Sequence, residues 1–336
     1  MKSIGIAGTA KNTGKTTTLS AVMDLLKQHG VSLALTSIGY DGEAMDNVTG
    51  LPKPRIVVRE GDIAAVAQSC LRASEAVIEV LEDTGIQTGM GHILIGRVKK
   101  GGKLVLAGPN KRRELREVLD RLDAYGAALC IVDGALNRMA PLVEVDGLIL
   151  ATGAARHTDI ARLAKESGII LELFSLPALA EEGRTGEILS VFTESGYDAL
   201  LKEFEGADTL RVTGVIACEY LNRLALRKGI GGKRLIFGDP VKLLLSGSPE
   251  EAYGSLRTLR EAGARVGVAH PIQTLAVTVN PYYPQYRYNS GDYDAAYVDK
   301  EELLAAISAA VPAPCYDVVR QGAEGIVRAV KNLLNK

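Results

Sequence analysis

The tightest constraint on this chain is the run Gly8-Thr9-Ala10-Lys11-Asn12-Thr13-Gly14-Lys15-Thr16-Thr17. The apolar stretch Ser3-Ile4-Gly5-Ile6-Ala7 precedes it, and Leu19-Ser20-Ala21-Val22-Met23-Asp24-Leu25-Leu26 follows. The run therefore reads as a glycine-bounded loop joining a strand to a helix. Such a loop turns successive backbone N–H groups, and the positive end of the helix dipole, toward an anion. Gly8, Thr9, Asn12, Thr13, Gly14, Lys15, Thr16 and Thr17 are accordingly the candidate positions for a bound nucleotide. Lys15 would reach the β- and γ-phosphates of ATP, and the Thr16 hydroxyl would ligate Mg²⁺.

Chain-wide features narrow the setting of this loop. The sequence has 336 residues, enough for two α/β domains or one large domain with an added lobe. Its formal net charge is −1, so no basic excess advertises a nucleic-acid or anionic-membrane surface. No apolar run approaches the roughly 20 residues of a membrane span, and no charged leader precedes the first strand. A cytoplasmic protein is expected. Cys70, Cys130, Cys218 and Cys315 lie far apart without Cys-x-x-Cys spacing and read as buried small apolar residues. His29, His92, His157 and His270 form no ligand pair in sequence.

Apolar runs alternate with helical stretches through the first two hundred residues, the pattern of a doubly wound, mostly parallel α/β sheet. Strands are expected near 3–8, 32–39, 92–98, 103–107, 128–132 and 146–151, and helices over 61–82, 112–124 and 157–167. The glycines of Lys99-Lys100-Gly101-Gly102 predict a hairpin between 93–98 and 103–107, inserted as an antiparallel ribbon. A second alternation starts at Leu210 and runs through 234–237, 266–269, 274–279 and 315–319. This places a P-loop domain at 1–206 and a smaller α/β domain at 207–336. Gly229-Ile230-Gly231-Gly232-Lys233 lacks a hydroxyl after its lysine and reads as a turn.

Further candidates cluster at expected strand ends. Asp133 closes the apolar run Cys130-Ile131-Val132 and would hold Mg²⁺ opposite Thr16, directly or through water. Asp41, with Glu43 as its competitor, ends the second strand and would assist the metal or act on the nucleophile. Lys53-Pro54-Arg55, Asn137-Arg138 and Thr152-Gly153-Ala154-Ala155 are loops expected at the same edge. Six of the twelve tyrosines fall between Tyr282 and Tyr297. Their prolines and Gly-Asp argue against a core strand, and stiff amphipathic rings suit a protein partner or a ring-shaped ligand.

The form Gly-Thr-x-x-x-x-Gly-Lys-Thr resembles the loop of dethiobiotin synthetases and of cobyrinic and cobyric acid amide synthetases. Deviant-Walker ATPases of that class carry a signature lysine where this chain has Ala10, and Lys11 is one place off. Gly8 to Thr16, Asp133-Gly134-Ala135-Leu136-Asn137-Arg138, Ala151-Thr152-Gly153-Ala154 and Thr278-Val279-Asn280-Pro281 together look like another family. That family is the small accessory subunit of adenosylcobalamin-dependent lysine 5,6-aminomutase. The resemblance implies an ATP-dependent reactivase component that works with a MutS-like companion ATPase to exchange damaged cobalamin. The sequence contains no Asp-x-His-x-x-Gly cobalamin motif. The alternatives are an ATP-dependent small-molecule synthetase like the dethiobiotin enzyme and a nucleotide-binding scaffold, with a homodimer possible in each case.

Overall fold

The computed structural model describes residues 1–39, 56–135, 140–287 and 291–336. Asp41, Glu43, Lys53-Pro54-Arg55, Asn137-Arg138 and Tyr288 lie outside the described residues. The chain opens with β1 (Lys2–Gly8), α1 (Lys15–Gln28) and β2 (Leu33–Ser37). It continues through β3 (Ile56–Val58), β4 (Ile63–Ala67), α2 (Gln68–Ala73), β5 (Val77–Thr88) and β6 (Gly91–Lys100). Then come β7 (Gly102–Leu104), α3 (Arg112–Leu122), β8 (Leu129–Ala135), β9 (Gly147–Gly153) and α4 (Ile160–Phe174).

The next stretch supplies β10 (Thr185–Ile188), α5 (Glu194–Gly206), β11 (Thr209–Val212), α6 (Cys218–Ala225) and β12 (Arg234–Phe237). α7 (Val241–Leu244), α8 (Pro249–Glu261) and β13 (Arg265–Val268) complete it. The last part holds β14 (Thr274–Asn280), β15 (Tyr282–Arg287), β16 (Asp292–Tyr297) and α9 (Lys300–Ala310). β17 (Cys315–Tyr316), α10 (Val318–Gln321) and α11 (Glu324–Leu334) end the chain.

Residues 1–164 and 274–336 form one compact unit around a nine-stranded sheet ordered β17-β14-β9-β1-β8-β2-β4-β6-β5. From β17 to β4 the neighbours pair in parallel, while β6 and β5 add antiparallel pairings at one edge. The fold class is therefore α/β with a mostly parallel sheet. The central strands are apolar along their length because a parallel sheet is covered on both faces. All seven residues of β9 are buried, as are six of the seven in β1. α1 buries Thr18, Leu19, Val22, Met23 and Leu26, spaced as one helical stripe, and contacts α11, whose Ile326, Val327, Val330 and Leu333 are buried.

Residues 165–273 form the second unit. Its parallel sheet runs β10-β11-β12-β13 in chain order. Tyr197, Leu200 and Phe204 from α5, Leu221 and Leu224 from α6, and Leu256 and Leu259 from α8 build its core. Ser248 caps α8 by accepting from the Glu251 N–H, and the Glu251 carboxylate accepts from the Ser248 N–H in return. Gly229 and Gly232 both have positive φ, and Lys233 donates to the Ala207 carbonyl, so this glycine segment forms a turn.

The division differs from the expected boundary at 206/207, which would separate the directly paired β10 and β11. β14 and β17 belong to the nine-stranded sheet, so the second alternation read from the sequence spans two sheets. The expected helix over 61–82 is instead β4, α2 and the first half of β5. The inserted antiparallel ribbon is β5 with β6, turning near Thr88 and Gly91. β7 pairs with β3 in a separate two-stranded sheet, not with β6. The tyrosine-rich segment is also regular: β15 and β16 form an antiparallel ribbon.

Gly153, at the end of β9, sits opposite Asn280 of β14, and a Cβ there would lie 2.2 Å from the Asn280 carbonyl oxygen. Gly153→Ala should therefore lower stability by roughly 2–3 kcal/mol. Gly126, with φ +79 and nothing within 4 Å of an added Cβ, meets only backbone strain. Gly126→Ala should lose about 1 kcal/mol. Urea unfolding of both variants checks the ordering, and equal midpoints would contradict the close approach.

Candidate functional site

Strand order locates the site before any side chain is considered. The chain passes from β1 to β2 and outward to β4, then returns as β8 between β1 and β2, and β9 falls on the far side of β1. The direction of winding thus reverses at β1. In an open parallel sheet the loops above such a point part company and leave a crevice at the carboxyl ends of the strands. The loop after β1 begins at that point.

The loop is held from several sides. The Thr9 N–H donates to the Ala151 carbonyl at 2.8 Å, and its hydroxyl donates to the Thr152 hydroxyl at 3.1 Å. The Thr13 hydroxyl donates to the Ala10 carbonyl at 3.0 Å. Two candidate hydroxyls thus shape the loop itself. Gly8 tolerates no side chain, since a Cβ would stand 2.9 Å from the Thr13 hydroxyl oxygen. Asn12, with φ 63, has the one positive φ among the described non-glycine residues, and Gly14 follows at φ 84 as N-cap of α1. Asparagine accepts this left-handed conformation more readily than most residues. No side chain caps α1, and the helix has no acidic residue in its first turn, so its N-terminus stays suited to an anion.

Lys15 leads α1 and donates from Nζ to Asp133 Oδ2 at 3.0 Å. Asp133 lies on β8 in register with Ile6 of β1 and Ser37 of β2. Both side chains are largely buried, 13% exposed for Lys15 and 7% for Asp133. A mostly desolvated ion pair loses more when one member is removed than a surface pair does. A nucleotide phosphate would compete with Asp133 for the lysine, and a metal would compete with Lys15 for the carboxylate.

The donor set fits a hard divalent cation. Thr16 and Asp133 offer oxygen only, as Mg²⁺ prefers, with phosphate oxygens and water completing its shell. Among the described residues no group of three His, Cys, Asp or Glu side chains forms a metal cluster. Thr16 is half-buried and Thr17 exposed in the first turn of α1. Cys70, Cys130 and Cys218 are buried, whereas Cys315 is only partly so. Burial pushes the Cys70 and Cys315 thiols up to about 11, which keeps them protonated and poorly nucleophilic near neutrality.

Three residues join the loop that its motif does not contain. Arg156 Nη1 donates to the Thr9 carbonyl at 2.7 Å. Thr278 of β14 shares a 2.9 Å hydrogen bond with Thr18 of α1. Asn280 Nδ2 donates to the Asn12 carbonyl at 2.9 Å. Arg156 is signalled only by its place after the β9 end, whereas Thr278 and Asn280 fall in the Thr278-Val279-Asn280-Pro281 segment named above, which gives no hint that they touch the loop. The end of β2 is also anchored, because the Gly39 carbonyl accepts from the Ser37 hydroxyl and the Gly108 N–H at 2.9 and 3.0 Å.

No known family and no curated protein matches the chain. Among solved structures it is similar to the MinC:MinD cell division protein complex of Aquifex aeolicus, at 10% identity and a TM-score of 0.30 over 100% of this chain and 97% of that one. It is similar also to pNOB8 ParA bound to nonspecific DNA, at 15% identity and a TM-score of 0.32 over 98% and 99%. The signal recognition particle receptor FtsY of Elizabethkingia anophelis gives 10% identity and a TM-score of 0.25 over 91% and 65%. Likeness of this order carries no argument about function, which rests on the geometry above.

Asp133→Asn separates the two competitions. Without Mg²⁺ the variant should bind ATP more tightly, by roughly tenfold, because the Asp133 carboxylate no longer competes with phosphate for Lys15. With Mg²⁺ the order should reverse. Calorimetry with and without EDTA checks both arms, and an unchanged Mg²⁺ dependence would remove Asp133 from the metal's shell.

Proposed function

We propose that the chain is a Mg²⁺-dependent, ATP-binding and ATP-hydrolysing P-loop protein. The observation that carries this reading is the Lys15–Asp133 pair at the strand-order reversal, beside an anion-ready helix N-terminus. Lys15 and the loop N–H groups would hold the phosphates, while Thr16 and Asp133 would hold the metal. When bound, Mg²⁺ supplies charge neutralisation at the transferring phosphoryl group. Asp41 remains the candidate to act on the nucleophile, with Glu43 beside it in sequence.

The finer reading is that ATP turnover serves reactivation of an adenosylcobalamin-dependent aminomutase of the lysine 5,6 type, together with a MutS-like companion. Its support is the family resemblance and the tyrosine ribbon. The β15–β16 register places Tyr282, Tyr286, Tyr293 and Tyr297 on one face, in two edge-to-face pairs with ring centroids 5.8 and 5.1 Å apart. Tyr286 and Tyr297 are 44% and 66% exposed, which suits aromatic anchors for a protein partner. A synthetase acting on a small acid needs no such exposed face.

Lys15→Ala should weaken ATP binding roughly 100-fold while the fold persists. Calorimetry and circular dichroism check this, and unchanged ATP affinity would end the P-loop reading. ATP turnover should then be measured alone, with candidate small carboxylic acids, and with a lysine 5,6-aminomutase system. Stimulation by the mutase system alone supports the accessory role. Stimulation by a small acid supports the synthetase alternative instead.

A further inference from the structure

We propose that Asn280 is a positioning residue that locks the left-handed turn of the phosphate loop and makes the tyrosine ribbon respond to what that loop holds. The inference rests on the nucleotide reading above and adds a residue outside the motif. Each end of the Asn280 amide is committed to a different element. Its Nδ2 donates to the Asn12 carbonyl at 2.9 Å, and its Oδ1 accepts from the Tyr282 N–H at 3.2 Å. Its Cβ is the nearest atom to a side chain built on Gly14, at 3.2 Å. One residue thus touches both left-handed positions of the loop and the first residue of β15.

The backbone of Asn280 is fixed independently of its side chain. Its carbonyl accepts from the Ala154 N–H at 2.9 Å, and it ends β14 opposite Gly153. The amide therefore works from a rigid base, as a positioning group must. Phosphate arriving at the loop N–H groups would act on the Asn12 turn, and the amide is the direct hydrogen-bonded link from that turn to the ribbon. The Val298 N–H donates to the Pro281 carbonyl at 3.0 Å, which closes the ribbon's base against the same strand end.

The chain has no tryptophan, and half its tyrosines lie between Tyr282 and Tyr297, so a change in the ribbon alters a large share of the tyrosine emission. Addition of MgATP to the wild-type chain should change that emission. Asn280→Asp keeps the volume and the acceptor for Tyr282 but loses the donor and sets a charge against the Asn12 carbonyl. It should weaken ATP by more than about tenfold, and at saturating ATP the emission change should vanish. Asn280→Ala, which loses both bonds, should weaken ATP roughly fivefold and likewise silence the ribbon.

Thermal melting identifies variants that fail to fold. In that case Asn12→Val substitutes, because a β-branched residue resists positive φ at the same turn, and Asn12→Gly should behave as wild type. If Asn280 variants bind ATP with wild-type affinity and keep the emission change, the proposal is wrong. ATP binding by the wild-type chain without any emission change overturns the coupling, whereas no ATP binding at all overturns the nucleotide reading and this proposal together.

Discussion

A lysine at the head of one helix and an aspartate on the neighbouring strand, 118 residues apart in sequence, form the contact around which this architecture makes sense. Two charges so poorly exposed are costly to bury apart, and their direct pairing offsets part of that cost. Their meeting requires β8 beside β1, and with β9 on the far side of β1 the strand order reverses there. On the proposed function, binding would be an exchange of ionic partners: a metal–nucleotide complex would offer phosphate to the lysine and a cation to the carboxylate.

The central sheet was legible because parallel strands buried on both faces must be apolar throughout. β1, β8 and β9 are such runs, and each appears within three residues of its expected place. The loop was legible for a similar reason: close packing and a helix N-terminus admit few residue types. Lys15 and Asp133, named from their places in a motif and at a strand end, meet directly.

What was hidden lay at the sheet's edge and in long-range pairing. β5 is a largely exposed edge strand whose register slips at several points, so it lacks the alternation that would separate it from a helix. β14 looks like any strand of the second alternation, and nothing in its composition says which sheet it joins. Tyr282, Tyr286, Tyr293 and Tyr297 do follow a strand's twofold period across a turn, but Pro284 masks it. A proline is tolerated there because a two-stranded ribbon is all edge. Nothing in the sequence around Asn280 sets it against the loop; its pairing with β9 does.

The strand that steadies the loop arrives late. β9 and β14 are direct neighbours in the sheet, yet residues 165–273 intervene between them in the chain as a separate compact unit. A ribosome releases β1, α1, β8 and β9 first, and the intervening unit has local pairings with which to fold meanwhile. Thr278 and Asn280 emerge only after all of these. During synthesis the loop therefore exists for a time as an unbraced turn beside an open β9 edge, and its brace follows only after a whole compact unit has been made.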